Sequence, residues 1–264
     1  RTLPAPHQDY GANVDEYVSF EYVDAFRKVI SIDEFPSHKE IIDLIAFSEQ
    51  NALEGRTEIN RRLFGMDYLL FHEEDKRLVG NASKLMHDYH IHHFWTKEFV
   101  EALASEIKKL GITGNMVEVC AGNGKLSHGL RQYGVPIVAT DYSPRSHHAE
   151  ELSAYEALHK YKPQFVLSSW LLNQGFQSDI MTTPYVQYYM SIEPVNPFDL
   201  TSDRSGHTNK EFEKYSRPNI ERYSIPMDLF LRDREYGTQF LEQLKANPDE
   251  IMLNKRSVFL FTRK

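Results

Sequence analysis

The sequence contains a single cysteine, Cys120, among its 264 residues. An intramolecular disulfide is therefore excluded, and the composition is typical of a reducing compartment, which we expect to be the cytoplasm. No apolar run reaches the ~18 residues that a membrane-spanning helix needs, and the charged N-terminus lacks the apolar core of a signal peptide. We therefore predict a soluble protein that has no membrane partner.

Basic charge is also scarce. The chain has 30 Lys and Arg against 38 Asp and Glu, which gives a formal net charge of −8. Proteins that follow the phosphates of a nucleic acid usually present a basic face, so we expect no nucleic-acid partner. The hydrophobic fraction of 41% is enough for a sizeable core and excludes a disordered or collagen-like chain.

Metal-binding patterns are missing as well. Histidines cluster at His87, His90, His92 and His93, but neither a cysteine set nor a His-Glu-x-x-His pattern accompanies them. Their spacing fits no standard zinc site. We predict that the protein holds no metal.

The strongest pattern is a glycine-containing turn between two apolar strands. Residues 116–127 read Met-Val-Glu-Val-Cys-Ala-Gly-Asn-Gly-Lys-Leu-Ser, and residues 137–141 read Ile-Val-Ala-Thr-Asp. Gly122 and Gly124 have no Cβ, so the backbone can turn tightly and approach a ligand closely. Asp141, at the tip of the second strand, can accept hydrogen bonds from a ribose diol. The pattern predicts a nucleotide-type site at the carboxyl ends of parallel strands.

Two classes of ligand use such a turn. Ser127 occupies the sixth position of the fingerprint, where a dinucleotide-binding protein has glycine. Glu118 lies at the end of the first strand, where its charge would repel a pyrophosphate and attract a cationic amino-acid group. S-adenosylmethionine carries an ammonium and a sulfonium and no phosphate, so these residues favour it. A nicotinamide-dependent oxidoreductase is the less favoured alternative.

The run from Glu118 to Ser127 resembles motif I of the class I S-adenosylmethionine-dependent methyltransferases, acidic-x-Gly-x-Gly-x-Gly. Asp141 resembles the acidic residue of their motif II, and the match departs at Cys120, which replaces the first glycine. Both runs are similar to those of a bacterial group that modifies natural products and peptides. The resemblance covers roughly residues 87–264. It implies that S-adenosylmethionine is the cofactor, with S-adenosylhomocysteine as its product, and that the cofactor is bound by Glu118, Cys120, Ala121, Gly122, Asn123, Gly124, Asp141 and Tyr142.

The same resemblance implies further contacts outside these two runs. Tyr89 and His90 precede motif I, where the chain often folds over the methionine half of the cofactor. Ser153 stands where family members commonly have an acid for the adenine amino group. Ser169 and Trp170 end the fourth strand, and Trp170 is expected to form a wall between cofactor and acceptor.

The acceptor is less well defined than the cofactor. The Asp/Asn-Pro-Pro-Tyr/Phe/Trp signature of adenine-directed DNA methyltransferases is absent after the fourth strand, so we expect a small molecule or peptide that is methylated on nitrogen or oxygen. Candidates for removing its proton are His90, His207 and Glu193. Candidate acceptor contacts are Tyr22, Phe26, Trp170, Glu193 and His207. A protein that binds the cofactor without transferring methyl is the non-enzyme alternative.

The alternation of strands and helices over residues 87–264 predicts an α/β fold with a doubly wound, mainly parallel sheet. The resemblance implies that this sheet has seven strands and that the last strand is antiparallel. Residues 1–86 are expected to form a helical cap that closes the acceptor pocket, and Ser37 with Glu40 predicts the start of one of its helices. In the core, Thr96 is the expected N-cap of a helix over 97–110, and a second helix is expected over 150–161. After the first strand, further strands are predicted at 135–140, 164–169, 186–192, 222–226 and 257–262.

Overall fold

The structure is a computed structural model that describes residues 24–25, 27–29, 31–43, 70–72, 77–79, 93–144, 146–169, 174–193, 212–221, 225–226 and 257–264. Its strands are β1 (Leu70–His72), β2 (Arg77–Val79), β3 (His93–Phe94), β4 (Met116–Val119), β5 (Ile137–Asp141), β6 (Glu150–Glu151), β7 (Phe165–Ser169), β8 (Tyr188–Glu193), β9 (Phe212–Ser216), β10 (Ile225–Pro226) and β11 (Ser257–Arg263). Its helices in the core are α1 (Lys97–Lys109), α2 (Lys125–Gln132), α3 (Ala154–Tyr161), α4 (Gln174–Thr182) and α5 (Pro218–Glu221).

The centre of the protein is a seven-stranded sheet in the spatial order β6-β5-β4-β7-β8-β11-β9. The first five strands in this order are parallel, whereas β11 runs antiparallel to both of its neighbours. The predicted Rossmann-like α/β sheet with an antiparallel last strand is confirmed. From β4 the chain builds outward through β5 and β6 on one side and through β7 and β8 on the other. The end of β4 is therefore a topological switch point, where open α/β sheets bind their ligands.

Helices cover both faces of this sheet because successive strand residues point to opposite sides. Met116, Phe165 and Met190 pack on one face together with apolar residues of α1, α2 and α5. Val117 and Val166 pack on the other face together with residues of α3 and α4. The result is a three-layer α/β arrangement in which α2 leads directly away from the end of β4.

Two helices begin where local sequence signals predict. The Thr96 hydroxyl accepts a hydrogen bond from the Phe99 amide and caps α1. Ser37 and Glu40 form a reciprocal capping box before the helical residues 38–43. Both of these N-terminal signals are confirmed.

Two sequence predictions of secondary structure are wrong. The sixth strand of the sheet is β9 at Phe212–Ser216, whereas residues 225–226 pair with β3 in a separate two-stranded sheet. Glu150 and Glu151 form the edge strand β6 instead of starting a helix, because they pair with the end of β5. Helix α3 begins only after Ser153.

Within residues 1–86 the structure describes helical residues at 24–25, 27–29 and 38–43. It also contains the antiparallel pair β1 and β2, which the expectation of a helical cap did not include. Of the helices in the described parts of the chain, none is long and apolar enough to cross a membrane. The division into a cap and a core stays a prediction.

Candidate functional site

The turn between β4 and α2 is tight and lies against the tip of β5. Its backbone has positive φ at Cys120 (57°), Gly122 (59°) and Gly124 (76°). The Gly124 amide donates to the Ala121 carbonyl at 2.9 Å, and the Ala121 amide donates to the carbonyl of Thr140 in β5 at 3.0 Å. The turn and the neighbouring strand end are thus joined by backbone hydrogen bonds.

Glycine is required at Gly124 for a second reason besides its positive φ. A Cβ there would lie 3.0 Å from both the carbonyl carbon and the oxygen of His148. The loop after β5 therefore packs directly on the turn, and the Ser146 hydroxyl reinforces this contact by donating to the Asn123 carbonyl at 2.7 Å. This close approach explains why position 124 cannot carry a side chain.

Asp141 links the end of β5 to the glycine turn. Its Oδ2 accepts a hydrogen bond from the Gly122 amide at 2.8 Å, and its Oδ1 accepts one from the Ser143 amide at 2.9 Å. A carboxylate has about four lone-pair sites, so both oxygens keep capacity for further donors such as a diol. The side chain is partly exposed at the carboxyl edge of the sheet, where a ligand can reach it.

The residue that follows Asp141 is an exposed aromatic. Tyr142 is 79% exposed, the highest fraction among the exposed large hydrophobic residues of the described structure. An uncovered tyrosine ring next to an acceptor carboxylate offers a flat apolar surface for a planar ligand. Position and exposure together make it suitable for an adenine ring.

Glu118 is buried inside the protein below this turn. It lies one residue before the end of β4, is 1% exposed, and uses Oε2 to accept hydrogen bonds from the amide and hydroxyl of Ser127 in α2. Its Oε1 has no hydrogen-bond partner among the residues that the structure describes. Burial raises the pKa of this carboxyl to about 7, although the Ser127 hydrogen bonds oppose the shift. The expected position of Glu118 at the strand end is corrected by one residue.

An unpartnered buried carboxylate oxygen indicates which ligand charge suits the turn. A cation close by stabilises the ionised form of such a carboxyl, whereas a pyrophosphate adds further repulsion. The Glu118 environment therefore fits a positively charged ligand group better than a phosphate.

The lysine that follows the turn, Lys125, points its ammonium at the N-terminal region. Lys125, the first residue of α2, is 3% exposed, and its ammonium donates to backbone carbonyls of the N-terminal region. Desolvation lowers the pKa of Lys125 to about 7, and the charges of Glu34 and Asp33 oppose the shift. The carbonyl partners are Lys28 at 2.6 Å, Val29 at 3.1 Å, Glu34 at 2.8 Å and Ser31. No local pattern identifies Lys125 as a contact residue, because its partners lie more than 90 positions away in the sequence.

Most of the predicted cofactor residues lie at one edge of the sheet. Glu118, Cys120, Ala121, Gly122, Asn123 and Gly124 belong to β4 or the turn, and Asp141 and Tyr142 end or follow β5. Ser169 ends β7 and Glu193 ends β8, so their backbones reach the same carboxyl edge. Glu193's side chain is outside the described structure.

Ser153 follows β6 at this edge, and its hydroxyl is already engaged. It accepts a hydrogen bond from the Glu156 amide at 3.2 Å and donates to Glu156 Oε2 at 2.6 Å. The structure thus shows a helix-capping residue, and the predicted contact with adenine requires this capping box to open or share its hydroxyl oxygen.

Several predicted residues lie outside the described part of the chain, and their roles stay predictions: Tyr22, Phe26, Tyr89, His90, Trp170 and His207. Among the residues that the structure does describe, no group of three or more His, Cys, Asp or Glu side chains is placed to hold a metal ion.

Comparison with known proteins finds only distant likenesses. No protein-family model matches the chain, and no curated protein matches it. Among solved structures, a protein described as a sarcosine dimethylglycine methyltransferase from Galdieria sulphuraria is similar at 13% identity and a TM-score of 0.35, covering 62% of this chain and 83% of that one. The plantazolicin methyltransferase BpumL in complex with a monoazolic desmethylPZN analog and SAH is similar at 11% identity and a TM-score of 0.35, and its complex with SAH at 11% and 0.34; each covers 86% of this chain and 99% of that one. Likeness at this level decides neither fold nor function.

Proposed function

We propose that this chain is an S-adenosylmethionine-dependent methyltransferase of class I that methylates a nitrogen or oxygen atom of a small molecule or peptide. The observation that carries the proposal is the hydrogen bond between the Gly122 amide and Asp141 at the switch point of the sheet. It joins the glycine turn and the acidic strand tip, the two features of the resemblance, into one site. The antiparallel β11 agrees with the last strand that the same resemblance implies.

The chemistry of the residues present suits this cofactor. Asp141 offers acceptor oxygens for the ribose hydroxyls, and Tyr142 offers a ring for the adenine. Glu118 leaves one buried carboxylate oxygen to respond to a nearby positive charge. Lys125 is withdrawn from the turn by its carbonyl contacts, so no lysine there is free to attract a phosphate.

S-adenosylmethionine, when bound, supplies an activated methyl group on its sulfonium. The protein's own task is then mainly to bind and orient, since correct positioning can contribute about 7–11 kcal/mol to lowering a barrier. In our proposal Ser169 and Trp170 stand between cofactor and acceptor, and Tyr22 and Phe26 of the N-terminal region complete the wall around the acceptor.

The acceptor must also lose a proton. For a hydroxyl acceptor we assign this role to His90 or His207, and for an amine we assign it to Glu193 at the end of β8. A carboxylate suits an ammonium substrate because it attracts the cation and can take its proton. These assignments extend the predicted roles and are tested by the substitutions His90→Ala, His207→Ala and Glu193→Gln once an acceptor is known.

Calorimetry tests the proposed cofactor directly. We expect the purified chain to bind S-adenosylhomocysteine and to show no response to NAD. The opposite result, binding of NAD alone, would identify an oxidoreductase-type site. Incubation with methyl-labelled S-adenosylmethionine and a panel of amines, phenols and short peptides, read by intact mass, then identifies the acceptor. Cofactor binding with no transfer to any member of a broad panel supports the non-enzyme alternative.

A further inference from the structure

The N-terminal residues pack directly on the helices next to the candidate site. We call the described residues between positions 24 and 43 the docked segment. Ala25, Val29 and Ile41 of this segment are buried. Its polar contacts with α1 and α2 include Lys97 N to Pro36 O at 2.9 Å, His38 N to Glu98 Oε2 at 2.8 Å, Gln132 Nε2 to Asp33 O at 3.0 Å, and His128 Nε2 to Asp33 Oδ1 at 3.0 Å.

The ammonium of Lys125 is at the centre of this contact. All four carbonyls that it contacts belong to the docked segment, from Lys28 to Glu34. The same ammonium lies 4.8 Å from the centre of the Phe35 ring. A lysine ammonium has three hydrogens, so a set of four carbonyls satisfies it completely without any other partner. Burying it without these carbonyls would leave an uncompensated charge.

The position of Lys125 in α2 indicates that it serves this contact and not its own helix. A cation on the first residue of a helix opposes the helix dipole, and α2 has no acidic residue in its first turn to offset it. Two of the partner carbonyls, on Lys28 and Val29, lie at the end of the first helical stretch of the docked segment, since residue 31 is no longer helical. Carbonyls at the C-terminal end of a helix lack intrahelical partners and favour a cation.

We propose that Lys125 is a positioning residue that fixes the docked segment against the first turn of α2 and thereby fixes the protein wall beside the cofactor turn. Lys125 directly follows Gly124, so the segment is tied to the glycine turn by one side chain. The consequence for the cofactor rests on the proposed function. The contact between Lys125 and the docked segment does not depend on the proposed function.

Hydrogen exchange measured by mass spectrometry tests, without any ligand, whether Lys125 holds the docked segment against α2. In Lys125→Met, which keeps the length of the side chain but has no donors, we expect amide exchange in residues 24–43 to be at least tenfold faster, with α1 and the sheet unchanged. The matched control is Lys108→Met, an exposed lysine of α1, for which exchange should equal that of the wild type. Wild-type exchange rates in residues 24–43 of Lys125→Met would overturn the proposal.

Chemical rescue separates the ammonium from general packing. Cys120 is the only cysteine of the chain, so a Cys120→Gly background allows Lys125→Cys to be alkylated alone. With 2-bromoethylamine the thiolate displaces bromide and forms a C–S bond, which restores an ammonium at lysine length. Iodoacetamide gives a neutral adduct as the control. Protection of residues 24–43 should return with the ammonium adduct only, and equal protection by both adducts would overturn the proposal.

A measurement on the wild-type chain covers the case in which the variants do not fold. Nitrogen-15 NMR of lysine side chains at pH 6 should show one ammonium whose hydrogens exchange slowly. Nuclear Overhauser contacts from this ammonium to the Phe35 ring assign it to Lys125. Absence of any protected ammonium overturns the proposal.

Binding of S-adenosylhomocysteine by the same samples is measured separately. A chain that shows the protected ammonium but binds no S-adenosylhomocysteine contradicts the proposed function and not the role of Lys125 in fixing the docked segment. With both present, Lys125→Met should weaken S-adenosylhomocysteine binding about tenfold.

Discussion

Ser127 donates both its backbone amide and its hydroxyl to one oxygen of Glu118, at 3.1 and 2.6 Å. The pair joins the start of α2 to the interior of β4. It also explains why the sixth position of the glycine pattern is a serine in this chain: a glycine there would remove the hydroxyl and leave the buried carboxyl with a single donor. The serine that departs from a dinucleotide fingerprint is therefore explained by the buried Glu118 of β4.

The buried carboxyl should make stability depend on pH. The pKa of Glu118 is raised to about 7 from 4.5. A raised pKa means that the folded state binds the proton more tightly, so the stabilising contribution is fully present below pH 4.5 and is lost as pH rises through 7. The difference is up to about 3 kcal/mol. Because glutamine does not ionise, Glu118→Gln should gain stability relative to the wild type between pH 5 and pH 8.

Chemical denaturation at the two pH values measures this change. The control is Glu151→Gln, which makes the same chemical change at an exposed position of β6. If the stability difference between Glu118→Gln and the wild type is the same at both pH values, the carboxyl does not titrate in this range as described.

Asp141 should matter for cofactor binding through its charge. Asp141→Ala removes the acceptor of the ribose hydroxyls and should weaken S-adenosylhomocysteine binding by about 1–3 kcal/mol, which is roughly 5- to 150-fold in Kd. Asp141→Asn keeps an acceptor for the Gly122 amide and so separates support of the turn from the charge. Glu151→Ala, the register neighbour on β6, is the control. Unchanged Kd in a folded Asp141→Ala variant would mean that the ligand binds elsewhere.

The central part of the fold was predictable because its signals are local. The apolar runs of β4 and β5, the glycines between them and the Thr96 cap each depend on residues close in sequence, and the structure contains all of them. The terminal run that forms β11 was recognised in the same way, by its apolar residues.

The edges of the sheet could not be predicted on that basis. Four of the five residues of β9 are exposed, so Phe212–Ser216 has no apolar face to identify it, and pairing with β11 determines its structure. β6 consists of two glutamates, which are poor strand formers, and it exists only through its pairing with β5. Lys125 shows the same limit for the site, because its partners are 91 to 97 positions away in the sequence.

Cys120 has a backbone conformation that normally favours glycine. Its φ is 57°, and a left-handed conformation costs a non-glycine residue about 1–2 kcal/mol. Cys120→Gly should therefore stabilise the protein by about 1 kcal/mol, the strain being partly offset by the greater freedom of glycine in the unfolded chain. Cys120→Ala keeps the Cβ and serves as the control, with no gain expected. Equal stabilities of the two variants by thermal and chemical denaturation would contradict a strained turn.

Gly129 should resist a substitution that normally stabilises a helix. Replacing glycine by alanine inside a helix gains roughly 0.5–1 kcal/mol. In α2, however, a Cβ at Gly129 would lie 2.5 Å from Phe35 Cζ and 3.0 Å from Val100 Cγ1. Gly129→Ala should therefore destabilise the protein by about 1–3 kcal/mol, because the Phe35 ring of the docked segment must move. In a Phe35→Ala background the same substitution should become neutral or stabilising. A double-mutant cycle by chemical denaturation measures this coupling, and additive effects of the two substitutions would show that Phe35 does not pack on Gly129 in solution.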